Sequence, residues 1–288
     1  MIDWSDDLIQ AIGRRRAVIV IGAGVSRNST SSAGRRPPTW EEFLVAASRQ
    51  LGDPQPLPSL ISRRDYLTAC ELIKQRMSAQ DFADLIRREF QQPGYRSAPI
   101  HENIYNLDAS IVISPNFDNI YDTYASTTSS GTLMVKDHTD TDIINYLVGG
   151  ETRLLLKTHG TVNSPHDIIF TRSGYARART KYVLFYEIIR SLILTHRFLF
   201  LGCGIDDPDI RAMFEDVQFA HDGMPFHYMT MPSGEIPDEV LSVVGATMKI
   251  RFLQYSANDG HQELTDSLSD LVQKVDAFRE QKASDQKW

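Results

Sequence analysis

Chemistry on this chain concentrates in four short clusters of small, polar and ionisable residues, each directly after an apolar run. Gly22-Ala23-Gly24-Val25-Ser26 follows the first run, Ala17–Ile21. Glycines at such a point let the backbone turn tightly and approach a diphosphate with no Cβ in the way. The same pair also suits a plain strand-to-loop turn. A dinucleotide fingerprint asks for a third glycine where Arg27 stands, and no Walker loop occurs. Ser114-Pro115-Asn116-Phe117-Asp118 ends the second run. There Asn116 can bond a ribose hydroxyl or hold a water in line for attack. Asn116 or Asp118 can equally cap a helix over residues 120–124. Lys157-Thr158-His159-Gly160 closes the third run, where a histidine is suited to general-base work near neutral pH or to a structural bond in a loop. Gly202-Cys203-Gly204-Ile205-Asp206-Asp207-Pro208-Asp209 closes the fourth, with carboxylates that can bind ribose or cap a helix starting near Pro208.

The elements that must position these clusters alternate along the chain. A wholly apolar run at Ala17–Ile21 reads as a strand covered on both faces, and comparable runs recur at 110–113, 153–157, 197–201, 226–230 and 247–253. Amphipathic helices separate them, and the last carries Leu264, Leu268, Leu271, Val272, Val275 and Phe278 on one stripe. This alternation predicts an α/β, Rossmann-like, mostly parallel sheet with helices on both faces. From about Trp40 to Leu107 no strand is expected. Thr39 and Glu42 form a capping box ahead of a helix, two more helices follow around Cys70 and Leu85, and residues 53–58 read as a proline-rich loop. The expected organisation is one domain, 1–288, with a core of 1–30 and 108–288 and an inserted helical lobe at 31–107. Residues 279–288 read as a polar, frayed tail.

Gly-Ala-Gly-x-Ser, Asn-x-Asp, His-Gly and Gly-x-Gly-x-x-Asp-Pro-Asp, in that order, resemble the sirtuin family. They are most similar to its bacterial sirtuin-like NAD hydrolase domains of anti-phage defence systems. Thr39-Trp40 after the glycine turn and Ile100-His101 before the second strand extend the likeness, which runs from about Arg16 to Asp209. The resemblance implies NAD as substrate, with Gly22, Ala23, Gly24 and Ser26 around its phosphates. Asn116 and Asp118 would lie near the nicotinamide ribose, and His159 would be the catalytic histidine. Gly202 and Asp207 would lie in the segment that closes over the other end. Where the family carries Thr before that Asn, this chain has Pro115, which removes an N–H and a hydroxyl from the pocket.

Cysteine count then separates two branches. Protein-deacylating sirtuins carry a zinc ribbon of two Cys-x-x-Cys pairs, and the two cysteines here, Cys70 and Cys203, cannot supply four thiolates. Both sit in apolar contexts and read as reduced and buried, and no metal site is expected among the eight histidines. Thus the resemblance implies NAD glycohydrolase activity, with nicotinamide and ADP-ribose as products and NAD depletion as the effect. Because a free-running enzyme of this kind would harm its host, it also implies control by homo-oligomer assembly or by a separately encoded HerA-type translocase ATPase. Two other readings stay open: a subunit that holds NAD or ADP-ribose with little turnover, and an ADP-ribosyltransferase.

The remaining features exclude more than they identify. Thirty basic residues against 37 acidic ones leave a net charge of −7, which disfavours direct nucleic-acid binding. No apolar stretch approaches the ~20 residues of a membrane helix, and the acidic start lacks the character of a signal peptide, so a cytoplasmic protein is expected. Arg172, Arg177, Arg179 and Lys181, flanked by Tyr175 and Tyr182, read as a solvated loop and helix start, with an anion-contacting gate or subunit contact as the alternative. Arg63-Arg64 and the other arginine pairs read as solvated faces.

Overall fold

In the computed structural model, which describes residues 1–150, 152–204 and 225–285, every residue of Ala17–Ile21 (β1) is buried. Such a strand must be covered on both faces, and it sits near the middle of a seven-stranded sheet. The others are β2 (Ile111–Ser114), β3 (Met134–Asp137), β4 (Leu154–Lys157), β5 (Arg197–Leu201), β6 (His227–Pro232) and β7 (Ile250–Tyr255). The order is β3-β4-β2-β1-β5-β6-β7, and all six pairings are parallel. β1 lies between β2 and β5, with Val18 opposite both Ile111 and Phe198. The chain therefore builds outward in two directions from β1, and a crevice opens there at the carboxyl edge.

The described helices begin with α1 (Asp6–Gly13), α2 (Ala23–Ser26), α3 (Trp40–Gln50), α4 (Leu57–Ser62), α5 (Tyr66–Arg76), α6 (Ala79–Phe90) and α7 (Pro99–Asn106). They continue with α8 (Ile120–Thr128), α9 (Ile143–Gly149), α10 (Arg172–Lys181), α11 (Val183–Thr195), α12 (Asp238–Met248) and α13 (Asn258–Ser284). Alternation along each strand sorts them into layers. Ile19 and Ile21 pack with side chains of α1, α7, α8 and α13 on one face, while Val18 and Val20 pack with those of α9, α11 and α12 on the other. The lobe helices α3 to α6 bury a core of their own around Phe43, Cys70, Phe82 and Ile86. Phe117, from the loop after β2, and Val162, Ile168 and Phe170, from the loop after β4, complete that core. By packing, α7 lies with the sheet, since Ile100 and Ile104 join the layer of α1 and α13.

Four features differ from the sequence reading. β3 is an added strand, missed because it lies at the sheet edge, is paired on one side only and keeps a half-exposed, mixed sequence. β7 starts three residues later than expected, because Thr247 and Met248 still belong to α12. Leu57–Ser62 is helical, since Pro58 falls in the first turn, where a missing N–H costs nothing. The polar tail continues α13 as far as Ser284, held by Arg279, which donates to the Leu107 carbonyl at 3.0 Å and faces the Asp108 carboxylate at 3.7 Å. The sequence around Thr39 behaves as expected, for its hydroxyl and the Glu42 carboxylate complete the capping box.

One buried group outside the site sets a pH dependence. His227 accepts the Phe198 N–H at Nδ1, and burial pushes its pKa down to about 3, with Arg197 adding to the shift. The unfolded imidazole, at about 6.5, binds a proton that the folded one refuses. Its contribution is complete above that value and is lost as pH falls toward 3, at about 1.4 kcal/mol per pH unit. Urea unfolding at pH 7 and pH 5 is expected to give a steeper loss for the native chain than for His227→Gln, which keeps the acceptor but does not titrate.

Candidate functional site

All seven parallel strands present their carboxyl ends to one edge, so the polar clusters after β1, β2, β4 and β5 converge there. Between that edge and the lobe lies a cleft of about 640 Å³, within the range of small-molecule sites. Gly22, Ala23, Ser26, Asn116, Asp118, His159 and Gly202 all line it. Gly24 does not. A Cβ on Gly24 would lie 2.8 Å from the Gly202 Cα, and one on Gly22 would run into the Gly202 carbonyl. Both residues are glycine so that the loops after β1 and β5 can touch. Their amides are engaged too, Gly22 with the Leu201 carbonyl and Gly24 with the Gly202 carbonyl, each at 2.9 Å. Asp207, with Asp206 and Asp209, lies outside the described residues, as does the helix expected near Pro208.

Beyond the glycines, a hydrogen-bonded chain crosses the cleft floor. Asn116 Nδ2 donates to Ser26 Oγ at 3.0 Å, and Ser26 Oγ donates to Asp118 Oδ2 at 2.8 Å. The N-cap of α8 is Asn119, not Asn116 or Asp118 as the sequence suggested, and its side chain makes no capping bond. Asp118, one residue earlier, accepts the Ile120 N–H at Oδ1, so one buried carboxylate touches both the cleft floor and the start of the helix. Asn116 is only half-buried, and its carboxamide oxygen has no hydrogen-bond partner among the described residues. The residue between them, Phe117, turns the other way and meets Trp40 at 6.2 Å and Phe90 at 5.7 Å between ring centroids. Phe117 thus ties the loop to the lobe core while still lining the cleft between Asn116 and Asp118.

His159 reaches the cleft from the loop after β4 and is nearly enclosed. The Tyr175 ring meets it edge-on at 5.0 Å. Tyr175 comes from α10, whose first turn is bound by the lobe: Glu71 of α5 accepts the Ser173 N–H at 2.6 Å. Burial disfavours the Glu71 carboxylate, but the hydrogen bonds from Ser173 and Thr171 and the nearby Arg177 hold its pKa below the usual carboxylate value. Behind His159, His138 lies within 3.5 Å of where a Cβ on Gly160 would stand. Burial lowers the His138 pKa, and the neighbouring His159 lowers it further. His101, also buried, takes the Ala98 N–H at Nδ1; burial lowers its pKa while Asp118 opposes the shift.

Sequence reasoning missed the lobe side of the cleft. Arg64, Asp65, Tyr66, Arg172 and Tyr175 all line it. Arg64 reads as a solvated cation, whereas Arg172, beside Tyr175, carries an anion-contacting gate as its alternative reading; both arginines are exposed and line the cleft mouth. No spacing signal places Arg64, Asp65 and Tyr66 there, because the approach of α5 to α10 is a tertiary contact. Cys203, read as buried, is half-buried and also lines the cleft, whereas Cys70 is enclosed in the lobe core and burial raises its thiol pKa. Among the described residues no three His, Cys, Asp or Glu side chains come together to hold a metal ion, and no helix is long and apolar enough to cross a membrane.

Comparison with known proteins agrees with this architecture. The chain is 24% identical over 240 residues to defense-associated sirtuin 2 of Bacillus subtilis, covering 81% of this chain and 22% of that protein. It is 22% identical over 225 residues to the NAD(+) hydrolase ThsA of Enterococcus faecium, covering 77% of this chain and 44% of that one. The chain thus spans less than half the length of either relative. The SIR2-like domain family matches residues 110–253, from β2 into β7, which is half of the chain and includes both Asn116 and His159. With the parallel sheet, the glycine contact between the first and fifth strands and the Asn-Ser-Asp chain facing a buried histidine, that match makes this chain a member of the SIR2-like family.

Proposed function

We propose that this chain is an NAD glycohydrolase that breaks the nicotinamide–ribose bond with water and releases nicotinamide, ADP-ribose and a proton. The observation that carries the reading is the cleft floor, where Asn116, Ser26 and Asp118 form one bonded chain in the same cavity as His159. Loss of nicotinamide leaves positive, oxocarbenium-like charge on the ribose, so the site must orient the sugar and oppose that charge. Asn116, its amide fixed by Ser26, presents its oxygen to a ribose hydroxyl or to the attacking water. Asp118 fixes Ser26 and supplies negative charge beneath the sugar. His159 accepts the proton released by the water or by the hydroxyl. Trp40 and Tyr66 in the cleft wall offer flat apolar surface to the rings of the substrate.

The names of the two relatives, a defense-associated sirtuin and an NAD(+) hydrolase, support this reading and its extension to NAD depletion in anti-phage defence. A cytoplasmic location, read from the acidic start and the lack of a membrane-length apolar stretch, belongs to the same proposal. So do control through homo-oligomer assembly and a HerA-type translocase ATPase partner, which rest on the resemblance; co-purification with the neighbouring gene product tests the last. The test of the activity is chromatography of NAD incubated with the purified chain, alone and with that product. Equal amounts of nicotinamide and ADP-ribose are expected. Nicotinamide with label transferred to a macromolecule would identify an ADP-ribosyltransferase instead.

A second reading, an NAD- or ADP-ribose-holding subunit with little turnover, is favoured by two observations. Pro115 lines the cleft without an N–H or hydroxyl, and the Gly22 and Gly24 amides are already bonded within the fold. Heat on titration with NAD, without product in either incubation, would select it.

A further inference from the structure

A lysine at the end of β4 is enclosed beneath the site and has no part in the chemistry just proposed. Lys157 is 1% exposed. Its ammonium donates to the Asp118 carbonyl oxygen at 2.6 Å and to Asp122 Oδ1, in the first turn of α8, at 3.3 Å. Register puts Lys157 beside Ser114, the last residue of β2, directly under the point where the chain turns into Pro115 and Asn116. Neighbouring core positions of β4 are leucine, so an apolar side chain suits this strand.

Stability gives little reason for a cation here. Removing an ammonium and a carboxylate from water costs several kcal/mol for each ion, and apolar pairs of similar volume commonly do as well or better. Asp122 shows the strain of that burial, which raises its carboxyl pKa against the pull of Lys157. An apolar residue could not, however, bond the carbonyl of Asp118. That carbonyl belongs to the loop whose side chains form the cleft floor, and the loop has few other main-chain anchors: the Asn116 N–H on Ser114 Oγ at 3.3 Å and the Phe117 carbonyl taking the Val162 N–H at 2.8 Å.

We propose that Lys157 is a positioning residue, anchoring the Asn116–Asp118 loop through the Asp118 carbonyl so that Asn116 and the Asp118 carboxylate hold their places on the cleft floor. Its effect on turnover rests on the NAD-cleaving reading; its effect on the loop does not. Two substitutions separate anchoring from plain stability, because both abolish the ion pair and only one removes the bond to the loop. Lys157→Met loses both partners. Asp122→Asn leaves the ammonium on the Asp118 carbonyl and keeps a neutral acceptor beside it.

Amide hydrogen exchange and NAD turnover are read on both proteins at a temperature where each is folded. Lys157→Met is expected to speed exchange at Asn116, Ile120 and Val162 by about tenfold and to lower kcat on the order of 10²-fold with KM little changed. Asp122→Asn should stay within about threefold of the native chain in both. Should Lys157→Met not fold, Lys157→Met/Asp122→Leu leaves no unpaired carboxylate and carries the same comparison. Native exchange in the lysine variant, or equal losses in both variants, overturns the proposal. A native chain that turns over no NAD, with the exchange difference still present, sustains the anchor and removes the cleavage reading instead.

Discussion

Alanine in place of Asn116 or of His159 is expected to lower NAD turnover by about 10²–10⁴-fold, the range for removal of a positioned proton-transfer group. The two variants should differ in everything else. Asn116 is half-buried and its amide bonds only Ser26, so Asn116→Ala should fold with stability within about 0.5 kcal/mol of the native chain. Its Ser26 partner loses an incoming bond but keeps Asp118 as acceptor. His159 is enclosed and in contact with Tyr175, so His159→Ala also leaves a cavity and should lower stability by about 1–3 kcal/mol. Chromatographic product formation beside urea unfolding measures both quantities. Native turnover in both variants would remove the proposed chemistry, whatever their stabilities.

Valine in place of Gly202 is expected to have the largest effect on the fold of any substitution at the cleft. Gly202 has φ +61°, a region in which a β-branched residue is strained. Its Cβ would also stand 2.5 Å from the Val25 amide nitrogen and 2.8 Å from the Gly24 carbonyl carbon. Those atoms are backbone and cannot rotate away. Either the loops after β1 and β5 separate, opening the cleft floor, or the strain persists. The expected cost is about 3 kcal/mol or more. Gly204 is the control, two residues on: among the described residues nothing lies within 4 Å of its Cβ position, and its φ is not left-handed, so Gly204→Ala should change stability by less than about 0.5 kcal/mol. Urea midpoints of the two variants check the contrast, and equal midpoints would mean that the loops do not need their contact.

The glycine turn shows how far local pattern reaches. Gly22, Gly24 and Gly202 stand out in the sequence as glycines at strand ends, and a ligand is one reason for such residues. In the fold they serve first to let two loops touch, a reason visible only when β1 and β5 are neighbours. Asn116 and Asp118 show the opposite case. A ribose contact and a helix cap were both legible from the sequence; the N-cap of α8 is Asn119, and Asp118 accepts the Ile120 N–H just ahead of it while bonding Ser26 at the cleft floor. β3 escaped notice because an edge strand is not buried on both faces and so lacks the apolar run that marked β1 and β5.

By itself the sequence determined the alternation of strands and helices, the helical insertion and the four polar clusters, because burial on both faces of a parallel strand leaves an apolar run that ends where solvent or ligand begins. A parallel sheet then obliges those ends to share one edge, and so the candidates could be named together. Only the tertiary structure decided what faces them. Arg64, Tyr66, Arg172 and Tyr175 reach the cleft because the lobe core closes over Phe117 and Phe170 and because Glu71 binds the start of α10. Lys157 meets the Asp118 carbonyl because β4 lies beside β2. A residue's periodic neighbours report the burial of its own element, whereas distances between elements follow from how whole layers pack, and that depends on many side chains at once.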